Sequence, residues 1–510
     1  MAFNLATILR EAARSHPDKA ALIVGGRPMT YAELAAACDR VAAGLLRAGI
    51  APGDVVAVQL PNSVQFVVAY FAALRIGAVV VPMNPLYRAD EIAHILRDSG
   101  ARMLITWLGT AEEAEKASAA ADLADMVVVA PPGAAVPPSY QDFETLYGPP
   151  GGVDVPVHQT DPGDTAVIVY TAGTTGRPKG AELTHFQLYM NADTPGRLFG
   201  IRDDDVVLVV LPLFHVFALS SILNLCVRFA ATMSLLPRFE PGAALAAVHR
   251  DRVTVFEGVP TMYVALLEHP EAGRYDLSSL RVAVSGGAPI PAEVLDEFER
   301  RFGVVVLEGY GMSETASTTT FNVSAQDRRA YSVGRPIWGV EVEVWDERGV
   351  PVPTGREHVG ELMVRGVNVM RGYHGDPEAT ARAFTRGWFH TGDLGYQDQD
   401  GFFFVVDRKK DLIIRGGYNV YPREVEDVLY THPSVAEAAV VGIPDHRLGQ
   451  SVKAFVALRP GRTATDTELM HHAKERLAAY KCPQAVEFRA ALPKNAAGKI
   501  VKRELEPWTG

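Results

Sequence analysis

Apolar residues recur at helical spacing through TYAELAAACDRVAAGLLRAG, which predicts a helix opened by Thr30 as N-cap and closed by a glycine. DVVAVQLP is apolar throughout and reads as a buried strand, SVQFVVAYFAALRIG as a helix, and AVVVPMN as another strand. ARMLIT and MVVVA are further strand candidates. This alternation implies parallel sheets covered by helices. The proline- and glycine-rich loop AAVPPSYQDFETLYGPPGGVDVP ends this subregion. The same texture returns over 160–320, with buried strands expected at TAVIVY, DVVLVVLP, TMSLLP, VTVFEGVP, LRVAVSGG and GVVVLEGYG. From about 333 to 407 short strands and turns predominate, as in a small barrel-like β region. After Asp411 the chain reads as a compact α+β module, with a boundary near DRKKD where charged residues replace apolar ones.

Length and composition sharpen this picture. At 510 residues the chain exceeds the ~250–300 at which one core stops growing, so at least two domains are expected. A net charge of −11 and the absence of a long basic run argue against a nucleic-acid partner. Cys38, Cys226 and Cys482 lie far apart, which suits a reducing cytoplasm and excludes a disulfide framework or a Cys-based zinc site. The opening MAFNLATILREAARSHPDKAAL reads as an amphipathic helix, not a signal peptide. SVQFVVAYFAALRIGAVVVP is interrupted by Gln65, Arg75 and Gly77, so buried helix and strand are expected in place of a membrane span. The expectation is a cytoplasmic protein, with peripheral membrane contact left open.

Five segments carry candidate chemistry. In YTAGTTGRPKG a buried strand ends at Tyr170 and is followed by glycines, by Thr171, Thr174 and Thr175, and by Lys179. Glycines let backbone amides approach an anion, hydroxyls donate hydrogen bonds, and the lysine adds charge. A helix with a Thr184–Gln187 capping box is expected to follow. The pattern is not a Walker A loop, because Pro178 stands where its second glycine belongs. In GYGMSET, Glu314 is a lone acid among small residues after a strand, placed to hold Mg²⁺ beside a phosphate. Asp393 in WFHTGDLG can accept both ribose hydroxyls. DRKKDLIIRGGYNVYPREVE combines a charged hinge-like head with the Gly416–Gly417 pair, and LPKNAAGKIVKREL places Lys499 after a glycine. Each has an ordinary alternative: a surface turn, a solvated or capping carboxylate, a plain TGD turn, an exposed hairpin, a solvated lysine.

Together and in this order, the five segments resemble the adenylate-forming superfamily of acyl-CoA synthetases, luciferase and peptide-synthetase adenylation domains. The similarity extends over nearly the whole chain, since TYAEL and GDVVAVQLPNS also look like its early motifs. The resemblance implies an α/β fold with a large N-terminal domain (1–409) of two αβαβα-type subdomains plus a small β-barrel. A mobile C-terminal α+β domain (410–510) follows. It implies ATP, Mg²⁺ and coenzyme A: a carboxylate and Mg·ATP give acyl-AMP and pyrophosphate, then a thiol displaces AMP. Matched position by position, Thr174, Thr175 and Lys179 would grip the β- and γ-phosphates, with Thr171 in the same loop. Gly287, Ala288 and Tyr310 would frame adenine, Thr315 would contact the α-phosphate, Glu314 would hold the metal, and Asp393 and Arg408 the ribose. Lys410 matches the hinge, and Lys499 the lysine bridging the attacking carboxylate and the α-phosphate. Lys499, Glu314 and Thr175 are thus the catalytic candidates. Gly416, Gly417 and Tyr418 would meet the pantetheine arm after the C-terminal domain rotates.

Ala172 stands where the family usually has serine, which removes one potential phosphate hydrogen bond. LPLFHVFALSS resembles the start of the family's acyl pocket and lacks the aspartate that amino-acid-activating members place there. His215, Phe217, Ser221, Gly309, Ser317 and Thr318, with Ala288 beside them, are the pocket candidates. Their mix of aromatic, small and hydroxyl side chains fits a hydrophobic monocarboxylic acid. A medium- or long-chain fatty acid is the expected substrate. The alternatives are an aryl-propenoic or benzoic-type acid, or acyl-AMP ligase activity that loads a carrier protein.

Overall fold

The computed structural model describes residues 3–148, 154–171, 178–288, 290–416, 418–495 and 498–505. The expected helix covers Tyr31–Arg47, and its start is a full capping box between Thr30 and Glu33. The apolar stretch forms the buried helix Val64–Arg75 and the strand Val79–Pro82. Arg75 stays inside because its guanidinium lies 2.6 Å from Asp39 and donates to the carbonyl of Val155. A buried arginine is tolerable only with such partners.

Two large sheets organise the N-terminal part. In the first, the parallel strands Thr165–Thr171, Val79–Pro82, Val55–Gln59, Ala101–Trp107 and Asp125–Val129 lie side by side. In the second, Ala20–Val24, Thr232–Leu235, Val206–Val209, Val255–Gly258, Val282–Ser285 and Val306–Tyr310 are parallel neighbours. Their continuous apolar runs suit strands buried on both faces. Helix Val64–Arg75 bridges the layers: Asn224 from the second sheet's side donates to Tyr70 Oη at 3.1 Å. Asn62 repeats the tie by donating to the carbonyl of Leu211 at 3.0 Å and accepting from the amide of Leu213 at 2.8 Å.

The barrel-like region is a five-stranded antiparallel sheet that includes Val340–Trp345, Gly360–Gly366 and Trp388–Gln397. The C-terminal module has its own sheet, centred on Val435–Asp445 and Gly449–Leu458, with helices Pro422–Tyr430 and Asp466–Lys474. Among the described residues no helix is long and apolar enough to cross a membrane.

Candidate active site

The carboxyl ends of several parallel strands open on one cleft, as ligand sites in open α/β sheets generally do. Thr171 ends one strand of the first sheet, and Tyr310 ends Val306–Tyr310 of the second. The segment after Tyr170 holds one strand more than the sequence reading expected. It does not lead from a strand straight into a helix; it joins Thr165–Thr171 to the antiparallel strand Lys179–Thr184, and the helix His185–Leu198 begins only after that. The capping box of Thr184 and Gln187 is present at that helix, but the helix N-terminus is one strand removed from the loop. The helix starts at its Thr184 cap as expected; the strand before it went unread because KGAELT carries no turn and no strong alternation. Thr174 and Thr175 lie outside the described residues.

Around Glu314 the chain builds a small oxygen cluster. Thr171 Oγ1 and Tyr373 Oη donate to Glu314 Oε1 at 3.2 and 3.3 Å. Burial pushes the Glu314 carboxyl above its ordinary range, while these hydroxyls draw it back. Lys179 Nζ sits 5.4 Å from the centre of the Tyr373 ring and 3.6 Å from Asp376. Tyr373 is held by pairing of Gly372–Tyr373 with the Lys179–Thr184 strand, so it and Lys179 are carried by one ribbon.

On the other side of the cleft, Tyr310 Oη donates to Asp393 Oδ2 at 2.7 Å, and Arg408 Nε lies 3.5 Å from Asp393 Oδ1. Thr315 is fully buried in the short turn Ser313–Thr315: its hydroxyl accepts from the amide of Met312 at 3.0 Å and from Thr319 Oγ1 at 2.8 Å. The turn closes tightly. Ala316 and Ser317 adopt φ of 54° and 112°, and a Cβ on Gly311 would lie 1.4 Å from the Ser317 carbonyl oxygen. Gly287 has φ +78° and is exposed at the cleft, with Ala288 next to it half-buried.

The C-terminal module brings Lys499 to this cleft. Thr261 Oγ1 donates to the carbonyl of Gly498 at 3.3 Å, and Arg459 pairs with Glu268 at 2.7 Å. Burial first, then the like charge of Arg408, lowers the Lys499 ammonium to about 8, against the opposing pull of Asp393 and Asp411. Lys410 is exposed in the turn between the strands Phe403–Arg408 and Ile413–Arg415. Gly416 adopts φ +58°, and Tyr418 is 61% exposed with its ring 4.9 Å from that of Tyr480. Among the described residues neither bonds to a residue of the cleft, and Gly417 lies outside those residues.

Beside the cleft is a cavity onto which His215, Phe217, Ser221, Gly309, Ser317 and Thr318 all face. A π-helical turn, Leu219–Asn224, turns Ser221 towards Ser317 and Thr318, with Oγ–O distances of 2.8 and 3.3 Å. His215 Nδ1 accepts from the amide of Phe217 at 3.2 Å, so Nε2 carries the ring proton. Burial and the charge of Lys499 lower this histidine to about 4, which keeps it neutral at physiological pH. Ala288 is not among the residues lining the cavity.

Sequence reasoning missed two residues here. Tyr373 stands beside His374 between two glycines in RGYHGDP and carries no pattern of its own. Glu257 also lines the cavity. It belongs to the strand Val255–Gly258, where the lone charge inside VTVFEGVP was the available signal.

The comparisons agree with this geometry. Residues 9–374 match the AMP-binding enzyme family, and residues 424–499 match the AMP-binding enzyme C-terminal domain. A feruloyl-CoA synthase from an Amycolatopsis species is 42% identical over 494 residues, covering 97% of this chain and 96% of the relative. A long-chain-fatty-acid–CoA ligase from Bacillus subtilis (strain 168) is 37% identical over 526 residues, covering 98% and 94%. The crystal structure of an anthranilate CoA ligase in complex with anthranoyl-AMP superposes with a TM-score of 0.93 at 30% identity, covering 99% of this chain and 96% of that one. With its fold, its paired domains and relatives along its whole length all in accord, this chain belongs to the AMP-binding enzyme family and is an AMP-forming, ATP-dependent acyl-CoA ligase.

Proposed function

We propose that this ligase activates a compact, hydrophobic aryl monocarboxylic acid, and that Lys499 joins the two halves of the adenylation site. The supporting observation is the surroundings of Lys499. Its loop is seated where Thr261, just past the cavity-lining strand Val255–Gly258, donates to the Gly498 carbonyl at 3.3 Å. There the ammonium feels the charges of Arg408 and Asp393, and itself adds to burial in lowering His215 of the acyl cavity. A cation between a nucleotide site and a carboxylate site is what adenylation requires, because two anions must meet. Preorganised charge of this kind is worth roughly 3–4 kcal/mol. No base is needed for this step, since carboxylic acids are ionised at neutral pH.

In this reading Thr171, Thr174, Thr175 and Lys179 hold the polyphosphate, and Thr315 helps hold the α-phosphate. Gly287, Ala288 and Tyr310 border adenine, and Asp393 and Arg408 hold the ribose. Glu314 fits a magnesium ion shared with ATP. The Thr171 and Tyr373 hydroxyls bonded to its carboxylate make an oxygen-rich setting that suits a hard cation. Among the described residues no cluster of three or more acidic, histidine or cysteine side chains forms a separate metal cage. Magnesium bound there supplies Lewis-acid stabilisation of phosphate charge. The domain division falls at 409/410, and rotation about Lys410 would withdraw Lys499 and bring Gly416, Gly417 and Tyr418 to the thiol. The cytoplasm is the proposed location.

The cavity favours the aryl acid over the long alkyl chain. Phe199, Phe217 and Phe321 wall it, glycines 286, 287, 309 and 311 narrow it to a slot, and a buried acid sits on its wall. The feruloyl-CoA synthase relative supports the same side, while the Bacillus relative keeps the fatty-acid reading as the alternative. The test is acyl-CoA and AMP formation over a panel of aryl, medium-chain and long-chain acids, with mass detection of the thioester. Aryl acids should be turned over with the highest kcat/KM. A maximum at long alkyl chains would replace the aryl reading. AMP release indifferent to coenzyme A would point to a carrier-protein acceptor.

A further inference from the structure

Glu257 is a buried acid that the adenylation chemistry does not use. It is the third residue of Val255–Gly258, a strand flanked by Val206–Val209 and Val282–Ser285. Phe256 points to the face that carries Tyr263 and Phe298, with ring centres 5.1 and 6.4 Å away. Strand alternation therefore sends Glu257 to the opposite face, which holds the cavity. Its accessible surface is 0%. Among the described residues, neither Oε1 nor Oε2 has a hydrogen-bond partner and no cation pairs with it; the Ser285 hydroxyl on the same cavity is also without a partner.

A buried carboxyl that serves only the fold is normally hydrogen-bonded. One that is unbonded and lines a ligand cavity is arranged for the ligand. We infer that Glu257 is a specificity-determining residue, recognising a neutral hydroxyl or aryl-amine group on the end of the acid substrate remote from its carboxylate. This inference rests on the cavity being the acyl pocket, as proposed above. With no counter-charge nearby, burial keeps Glu257 protonated. A protonated carboxyl both donates and accepts, which matches a hydroxyl group. An alkyl or unsubstituted aryl end of the same length would leave Glu257 and Ser285 unpaired after desolvation, and such sites discriminate strongly against the analogue lacking the polar group. A second carboxylate would be placed in the interior without a cation, and is rejected for that reason.

The experiment compares kcat/KM for 3-phenylpropenoic acid with its ring-hydroxylated and ring-amino analogues, and for octanoic acid with 8-hydroxyoctanoic acid. The full-length enzyme, Glu257→Leu and Glu257→Gln are each assayed. Each ratio is measured on one preparation, so it is independent of the active fraction. Wild type should prefer at least one polar-ended acid over its parent by about 30-fold or more. Glu257→Leu should bring that ratio near or below one with the KM for ATP unchanged. Glu257→Gln keeps the shape and exchanges the donor hydroxyl for an amide NH2, which still donates and accepts in a different geometry, so it should keep a preference of altered size. If the leucine variant does not fold, glutamine ratios identical to wild type for every pair would overturn the inference. Wild-type ratios within about twofold for every pair, or a Glu257→Leu enzyme that keeps the wild-type preference, would overturn the inference while leaving the ligase reading intact. Failure of every acid to drive AMP release would overturn the ligase reading as well.

Discussion

Tyr310 Oη donates a 2.7 Å hydrogen bond to Asp393 Oδ2, tying two elements 83 residues apart in sequence across the mouth of the cleft. Burial holds the phenol well above its ordinary range, so it remains a donor at any working pH. Tyr310→Phe removes this bond and frees the carboxylate to shift towards Arg408. A net hydrogen bond to a charged group is worth roughly 1.5–3 kcal/mol. The expected result is a rise of about 10- to 100-fold in the KM for ATP, with the KM for the acid little changed. Steady-state kinetics with each substrate varied in turn checks this.

Lys499 acts on the first half-reaction alone in this account. Lys499→Ala should lower acyl-AMP formation by about 10²- to 10³-fold, the usual loss for one preorganised contact to developing charge. Transfer from synthetic acyl-AMP to coenzyme A should stay within about threefold of wild type, because the lysine is withdrawn for that step. Rapid-quench assays of the two half-reactions separate these effects.

The lowered affinity of Lys499 for its proton has a pH signature with a definite sign. In the docked state the group titrates at about 8, and a solvated lysine titrates near 10.5. Adenylation uses the charged form, so its kcat/KM should hold up to about pH 8 and then fall. Lys499→Arg should move that fall to higher pH. Docking without substrates shows the opposite trend: the buried charge opposes it fully below pH 8, and that cost fades as pH rises towards 10.5. Adenylation profiles of wild type and Lys499→Arg give the comparison.

Gly311 is required by a close approach, since any Cβ there meets the Ser317 carbonyl oxygen at 1.4 Å. Gly311→Ala must displace the turn that carries Glu314 and Thr315 and opens into the acyl cavity. A destabilisation of about 1–3 kcal/mol is expected, together with loss of acid-dependent turnover. Thermal unfolding and acyl-CoA formation report the two effects separately.

Much of this arrangement was legible in the chain because it is local. The Thr30–Glu33 cap, the apolar strand runs and the GYGMSET turn each announce themselves within a few residues. The pairing of Lys179–Thr184 with Thr165–Thr171 was not legible, because KGAELT carries neither a turn nor a strong alternation before the helix. Glu257 was obscured for a different reason. A single charge inside an apolar run defines no motif, and only alternation along a strand of known register shows that it faces the cavity. Tyr373 needs the long-range pairing of Gly372–Tyr373 with Lys179–Thr184 before it meets Glu314.

The central claim is that one chain attacks the α-phosphate of ATP with the substrate carboxylate and then passes the acyl group to coenzyme A. Acid labelled with ¹⁸O in both carboxylate oxygens tests it directly. The carboxylate oxygen that forms the bond to phosphorus leaves with AMP, so AMP should carry one label and the acyl-CoA carbonyl the other. Label in orthophosphate with formation of ADP, or AMP without label, would contradict an acyl-adenylate path and the assignment of this cleft with it.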